Sequence, residues 1–179
     1  MDLIPPVKQA LYPVLIITQT IPTIALAPIL IIWFGFGSLP KIIVVILTCF
    51  FPIVISLVEG LGSVEQDMIQ HFRLMGASKV ETFFHLKLPY GFIHFFSGLK
   101  IAATYSVMGA VIGEWLGGNK GLGVYMTRAR STYALDKLFA AILVIMVLSI
   151  VLVEFIGMIE RISMPWNRGV EKKKEQLGG

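Results

Sequence analysis

A chain of 179 residues has the length of one ordinary soluble domain, but its composition excludes that class of protein. Hydrophobic residues make up 56% of the sequence and charged residues only 15%, against about 25% charged residues in a typical soluble domain. The net charge of +4 is modest, and the basic residues lie between and after the apolar stretches. That distribution is typical of membrane topology and not of a nucleic-acid-binding surface.

The first apolar stretch predicts a membrane span from about Pro13 to Phe34. No Asp, Glu, Lys or Arg occurs between Gln9 and Pro40, and a bilayer-spanning helix needs about 20 mainly apolar residues. The prolines in this segment free backbone groups that lipid cannot satisfy, so neighbouring helices must cover it or it must line a polar cavity. A kinked packing helix and the wall of a translocation path both remain open. The candidate path residues here are Gln19, Thr20 and Pro22.

Three further apolar stretches predict three more spans. The fold class is therefore an all-α integral membrane protein, a polytopic helical bundle with about four spans. One transmembrane domain, residues 1–165, precedes a charged cytoplasmic tail, residues 166–179. Cys49 lies inside an apolar run and, as the single cysteine, is expected to be a packing thiol. The additional spans run over about Lys41–Val58, Leu99–Leu116 with a lead-in from Pro89, and Leu138–Ile159.

The basic residues predict the orientation of the chain in the membrane. Four spans place the N-terminus, the loop Glu59–Lys87 and the tail on one side, which carries nine Lys and Arg residues. The opposite side carries five, and Lys100 is left near the start of the third span, where its stem could reach the interface. We therefore expect the middle loop and the C-terminus to be cytoplasmic.

The middle loop carries two helix-start patterns separated by a glycine. Ser63–Gln66 and Ser78–Glu81 both match the capping box, in which a hydroxyl caps the helix and the residue three positions on bonds back. Apolar residues follow at helical spacing, and Gly76 stands where a helix-ending glycine belongs. Pro89 is expected to stop the second helix before the third span. Docking to a partner and lying on lipid headgroups both remain open for this helix pair.

The same loop resembles the cytoplasmic signature of ABC importer permeases, in which a Glu-Ala-Ala triplet is followed by Gly and, further on, by an apolar residue and Leu-Pro. Gly76, Leu86 and Leu88-Pro89 match that spacing, whereas Gln70-His71-Phe72 replaces the triplet. In this family the loop is a coupling helix that sits in a groove of the ATP-hydrolysing subunit. The resemblance therefore implies an ATPase-coupling loop, residues 59–89, with contact residues Phe72, Met75, Gly76, Ala77, Ser78, Phe83, Leu86, Leu88 and Pro89.

Further fragments extend the resemblance along most of the chain. They are similar to the nitrate, sulfonate and taurine permease group, and the segment from Lys100 to Trp115 is similar to its thiamine pyrimidine-precursor branch. Permeases of this group usually have six helices, and the first two have no counterpart here, so we expect a truncated product, a misassigned start or a partial sequence. The matching fragments are Gln19–Pro28, Trp33–Gly37, Phe50–Pro52, Ser97–Lys100, Gly113–Gly118 and Gly121–Gly123.

The resemblance implies a permease subunit of an ATP-driven importer in the bacterial cytoplasmic membrane. Its partners would be an ATP-binding subunit, an extracytoplasmic substrate-binding protein and a second copy of the chain. The solute would be small, polar and organic, either a thiamine pyrimidine precursor or a sulfonate- or nitrate-like anion. The alternative is a non-transporting permease fragment or membrane scaffold. A membrane-embedded enzyme would need polar groups clustered at one membrane depth, which the sequence does not show.

The ionisable residues indicate no chemistry performed by this chain. It contains no Gly-x-x-x-x-Gly-Lys-Ser/Thr sequence, so ATP is expected to be used by the partner subunit and no cofactor to be bound here. The three histidines lack metal-ligand spacing, which predicts no metal site. Glu114, at the outer end of the third span, is a candidate path residue and a candidate partner for Arg128 or Arg130. The glycine-rich stretch Gly117–Asp136 predicts a tight loop or re-entrant turn.

Overall fold

The computed structural model describes Pro13, Thr20 and residues 22–165, and the regular structure there is helical. Within the described residues, seven α-helices and one π-helical turn follow each other. They are α1 (Thr23–Phe34), α2 (Ser38–Gly62), α3 (Gln66–Leu74), α4 (Lys79–Thr82), the π-turn (Phe83–Lys87), α5 (Leu88–Gly117), α6 (Leu122–Ser131) and α7 (Leu135–Ser163). Gln19, most of the first half of the predicted first span and the tail 166–179 lie outside the described residues.

In the part of the chain that the structure describes, three helices are long and apolar enough to cross a membrane: α2, the continuous helical run Lys79–Gly117, and α7. These correspond to the predicted second, third and fourth spans, and each begins earlier and ends later than predicted. The difference arises because the apolar stretch marks only the part that lies in lipid, whereas the helix continues into the charged flanks. The described part of the predicted first span is the shorter apolar helix α1.

The bundle is organised around the close approach of α2 and α5. Gly98 of α5 faces α2, and a Cβ atom there would lie 2.8 Å from the Pro52 carbonyl oxygen and 2.8 Å from the Ser56 side chain. Small residues at such positions let membrane helices approach closely and gain packing contacts. The Cys49 thiol, half-buried in the same interface, donates to the Ala102 carbonyl across the two helices at 3.3 Å, in agreement with its expected packing role.

An ion pair fastens α7 to α5. Lys100 Nζ lies 2.5 Å from Glu160 Oε2, and the Glu160 side chain is 14% exposed. Lys100 is thus paired with a carboxylate of α7, and its expected reach to the membrane interface stays a prediction. A small hydrophobic cluster packs in the same region and consists of Phe96, Ala103, Ile156 and Met164.

The predicted stop at Pro89 is also wrong, because the chain stays helical from Lys79 to Gly117. The π-turn accommodates the proline: the Leu88 N–H donates five residues back to the Phe83 carbonyl, and Pro89 then occupies the first turn of α5. A proline is tolerated there because the first N–H groups of a helix need no intrahelical partner. Its missing donor thus changes the hydrogen-bonding register without ending the helix.

Candidate functional site: the loop between α2 and α5

The loop begins differently from the sequence prediction. The capping box at Ser63–Gln66 does not form, since Glu65 is the residue that precedes α3 and its side chain makes no cap. Ser63 instead closes α2, and its hydroxyl donates to the Gly60 carbonyl at 2.8 Å. The reason is that α2 continues to Gly62, which leaves Ser63 in helical backbone geometry, whereas an N-cap residue needs extended geometry.

The turn at Gly76 confirms the predicted helix-ending glycine. Gly76 has φ +86°, a left-handed conformation that glycine adopts without the penalty of a Cβ atom. The Ala77 N–H donates to the Phe72 carbonyl and the Gly76 N–H to the Arg73 carbonyl, both at 3.0 Å. This pair of bonds is the Schellman motif, which satisfies the carbonyls left open at the end of α3. The turn is therefore held by the backbone alone.

The second predicted capping box is present. The Ser78 hydroxyl accepts from the Glu81 N–H at 3.2 Å, and Glu81 Oε2 accepts from the Ser78 N–H at 2.8 Å. The Ser78 N–H, and then the Ser78 side chain, hold the pKa of the Glu81 carboxyl below its ordinary value, because both stabilise the charged form. Ser78 thus fixes the start of α4 directly after the glycine turn.

The surface of the loop is apolar and exposed at its tip. Leu74 and Met75, which flank the glycine turn, are 85% and 74% exposed, and Val80 and Phe84 continue the exposed surface along α4 and the π-turn. We call these four residues the tip surface. Gly76 and Ser78 are exposed beside it, whereas Leu86 is buried. The remaining predicted contact residues are half-buried: Phe72, Ala77, Phe83, Leu88 and Pro89.

Sequence reasoning missed three of the four tip-surface residues as contact candidates: Leu74, Val80 and Phe84. Leu74 lies off the apolar stripe that Met68, Phe72 and Met75 form at spacings of four and three, Val80 lies inside the capping box, and Phe84 adjoins the predicted Phe83. The signal that could have found Leu74 and Val80 is position, because both lie within four residues of the turn at Gly76, where a helix end leaves side chains without neighbours.

The base of the loop is fixed to the bundle. Thr82 and Leu86 are buried, and the Thr82 hydroxyl donates to the Ser78 carbonyl at 2.9 Å. On the other arm, the Tyr90 hydroxyl of α5 donates to the Met68 sulfur of α3 at 3.7 Å. The exposed tip therefore stands on a packed base that continues into α5.

At the opposite end of α5, the chain folds back over the bundle through Gly118–Gly121 and α6. The predicted pairing of Glu114 with Arg128 or Arg130 is wrong: Glu114 Oε2 accepts from the Gly123 N–H at 2.6 Å, in the first turn of α6. The predicted loop also contains a helix, because Gly121 provides a turn with φ +126° before ten residues that continue as α6.

The structure separates the candidate path residues. Glu114 is half-buried and lines an open groove of about 540 Å³ between α5, α6 and α7. Neither Thr20 nor Pro22, both exposed, lines that groove, and Gln19 lies outside the described residues. In the part of the chain that the structure describes, no three His, Cys, Asp or Glu side chains lie together as metal ligands would.

Several helices that are long and apolar enough to cross a membrane, with an exposed apolar loop between two of them, define a multi-pass membrane protein. The chain belongs to the family of binding-protein-dependent transport system inner membrane components, which matches residues 4–161. This membership confirms the predicted all-α permease fold and a multi-pass protein of the bacterial cytoplasmic membrane.

Curated relatives confirm the resemblance to ABC importer permeases of the nitrate, sulfonate and taurine group and to its pyrimidine-precursor branch. The formylaminopyrimidine transport permease protein of Halalkalibacterium halodurans is 40% identical over 90% of this chain and 65% of its own length. The riboflavin transport system permease protein of Chloroflexus aurantiacus is 31% identical over 89% of this chain and 59% of its own length. The taurine transport system permease protein of Escherichia coli is 29% identical over 96% and 62%. The chain thus spans about three-fifths of the length of these relatives.

Proposed function

We propose that this chain is a permease subunit of an ATP-driven importer and that its loop 59–89 couples the membrane helices to a separate ATP-hydrolysing subunit. The observation that carries the proposal is the tip surface, an apolar patch held around a backbone-fixed glycine turn. The chain itself would bind no nucleotide. Its part in transport would be a conformational coupling between two sites, without a chemical step.

The length of the helical run supports a loop that extends beyond the membrane. Its 39 residues correspond to about 58 Å at the α-helical rise, roughly twice the hydrocarbon core of about 30 Å. The polar residues lie at the Lys79 end, which carries Lys79, Glu81, His85 and Lys87, so this end protrudes. Exposed apolar side chains are ordinary where lipid covers them, but in water they favour a protein partner.

Charge favours docking over the second interpretation, a helix pair lying on lipid headgroups. Interfacial helices are rich in Lys and Arg on the polar face. The helix α3 instead carries Asp67 and Arg73 and is preceded by Glu65, while α4 carries Lys79 and Glu81. This balance offers anionic lipid no net attraction, whereas an apolar tip with charges of both signs at its rim is the usual composition of a protein interface.

The test is co-purification of the tagged chain with its ATP-binding subunit from detergent-solubilised membranes. Leu74→Ser with Met75→Ser should reduce recovery of the ATPase by at least about tenfold, because exposed side chains at an interface centre carry most of the binding free energy. Tyr133→Ser is the matched control, since Tyr133 is equally exposed at the opposite end of the bundle. Equal recovery from both variants would contradict the coupling role and favour a scaffold without an ATPase.

We further propose that the loop and the C-terminus are cytoplasmic. Among the basic residues, nine lie on the side of the loop and five on the other side, which is the direction of the positive-inside rule. In a Cys49→Ala background, Ser78→Cys should react with a membrane-impermeant thiol reagent in inside-out vesicles and not in intact cells. Labelling from outside intact cells would overturn this orientation.

Two copies of the chain would present two coupling loops to two ATPases, and an extracytoplasmic binding protein would deliver the solute. We propose a small polar organic solute, with a thiamine pyrimidine precursor as the first candidate and sulfonate- or nitrate-like anions as the competing class. The support is the greater identity to the formylaminopyrimidine relative than to the taurine relative. ATP-dependent uptake of taurine, but not of formylaminopyrimidine, by proteoliposomes of the assembled complex would reverse this order.

A further inference from the structure

Glu114 is the point at which three segments meet. It belongs to the last turn of α5, its carboxylate accepts from the Gly123 N–H of α6, and its side chain lines the groove that α7 closes from the other side. A hydrogen bond from a backbone N–H to a carboxylate is stronger than one between neutral groups, and the positive end of the helix dipole adds to it. This contact therefore stabilises the start of α6 against the end of α5.

The glycines around this contact let the chain pack closely against the end of α5. A Cβ atom at Gly121 would collide with the Glu114 carboxylate. A Cβ atom at Gly123 would lie 2.6 Å from the Val111 carbonyl oxygen, and one at Gly118 would lie 2.6 Å from the Glu114 carbonyl oxygen. The chain can approach the Glu114 side chain and the neighbouring carbonyls of α5 this closely because these three positions carry no side chains.

The groove lies directly beneath this contact. On α5 it is lined by Ser106, Ala110 and Glu114, which follow at intervals of four residues and so share one helix face. Leu122 of α6 lines it at the Glu114 end, and α7 supplies the apolar opposite wall. The width of the open groove at this end therefore depends on the position of α6.

We propose that Glu114 is a positioning residue that latches α6 and the preceding loop over the groove between α5 and α7. In this role the carboxylate is occupied by the Gly123 N–H and is not a contact for the transported solute. The relevance of the latch to transport rests on the proposed importer function, but the latch itself is a property of this chain. Its release would widen the groove further at the end opposite the coupling loop.

The experiment measures access to the groove with the purified full chain in detergent. In a Cys49→Ala background, Ser106→Cys provides a thiol in the groove about 12 Å from Glu114, two turns along α5. Glu114→Ala should raise its labelling rate by a thiol reagent at least about tenfold, as expected for loss of a hydrogen bond to a charged group. Glu114→Gln keeps an acceptor oxygen and should fall between Glu114→Ala and the unaltered chain.

Two controls separate the latch from general loosening of the bundle. Glu154→Ala removes an exposed carboxylate from α7 and should leave the rate unchanged. A thiol introduced at Ser97, exposed on the same helix, should react at the same rate in every variant. Equal rates for Glu114→Ala and the unaltered chain, or an equal rise in Glu154→Ala, would overturn the proposal.

A second variant tests the latch with Glu114 in place. Gly121→Ala pushes a methyl group into the carboxylate and should also open the groove. Gly35→Ala is its matched control, because Gly35 has φ +75° but no atom lies within 4 Å of a Cβ placed there. A rise in labelling in both glycine variants, or in neither, would contradict the latch.

Two further outcomes separate the latch from the importer function. Loss of uptake in Glu114→Ala without a change in labelling would make Glu114 a solute contact. Increased labelling in a chain that binds no ATPase would retain the latch and reject the importer role.

Discussion

The helical run Lys79–Gly117 ends in two glycine-containing turns that differ in what surrounds them. At Gly76, just before the run, the turn is closed by backbone hydrogen bonds, and a Cβ atom would meet nothing within 4 Å. At Gly121, just after the run, a Cβ atom would collide with the Glu114 carboxylate. Gly76 is required for its conformation alone, whereas Gly121 is required for both conformation and space.

This difference concerns how each turn is held. At the end that contains Gly121, the loop packs against the Glu114 side chain of α5, and the Gly123 N–H is paired with that carboxylate. The end at Gly76 satisfies its backbone but leaves Leu74 and Met75 in the open. The end at Gly76 therefore combines an ordered turn with exposed apolar side chains, as expected if the proposed coupling loop docks to a partner.

The largest expected effect comes from altering the open turn. Gly76→Glu should abolish association with the ATPase while membrane insertion continues, because it strains a left-handed position and places a charge where an interface must lose its water. Gly76→Ala separates the two causes: its cost should be only about 1 kcal/mol of conformational strain, since the space around the turn is open. The measurement is ATPase recovery from solubilised membranes. Normal recovery of the ATPase with the Gly76→Glu variant would contradict the view that the turn at Gly76, unlike the turn at Gly121, is a docking site.

A smaller effect is expected from the cap that follows the turn. Ser78→Ala removes the acceptor of the Glu81 N–H and should destabilise α4 locally by about 1 kcal/mol. Hydrogen exchange of the Glu81 amide should then be about fivefold faster. Ser63→Ala is the matched control, because Ser63 caps no following helix and its loss should leave α3 exchange unchanged. Faster exchange in α3 of the Ser63 variant would restore the rejected first capping box.

The smallest expected effect is a pH dependence of the same cap. The folded-state pKa of Glu81 lies below its ordinary value of 4.5, so the cap is fully stabilising above that value and weakens as the pH falls through the lowered pKa. Since Glu81 is fully exposed, the change should be slight. A titration that follows the helical signal of the loop should show it in the unaltered chain and not in Glu81→Gln, which keeps an acceptor but does not titrate. Identical acid responses would exclude Glu81 as the cause.

The sequence predicted what depends on local pattern. The spans, the glycine turn and the capping box at Ser78 each follow from residues within one or two helical turns of each other. The capping box at Ser63 does not form because of tertiary packing. The helix α2 continues to Gly62 because its packing on α5 extends that far. At Gly60 the two helices are so close that a Cβ atom would overlap the His94 side chain of α5. Local sequence propensity alone does not determine whether a serine ends the preceding helix or caps the following one.

The candidate site was predicted in part. The position of the loop, its glycine turn and its second capping box follow from spacing, whereas the exposure of Leu74 depends on where the base of the loop packs. The contact residues that the resemblance implies stay a prediction. The partner of Glu114 could not be predicted, because charge pattern favours the nearby arginines while the actual donor is a backbone N–H. Only the glycine-rich approach of the loop brings that N–H within 2.6 Å.

The π-turn at Phe83–Lys87 determines the direction in which the tip surface points around the axis of α5. It contains one residue more than an α-helical turn would, and each residue of an α-helix advances by about 100° around the axis. Deleting a single residue from this turn would leave the membrane helices and the glycine turn unaltered but would swing the tip surface by about 100° around the axis of α5. The direction in which the tip surface points is therefore determined by the number of residues in this turn.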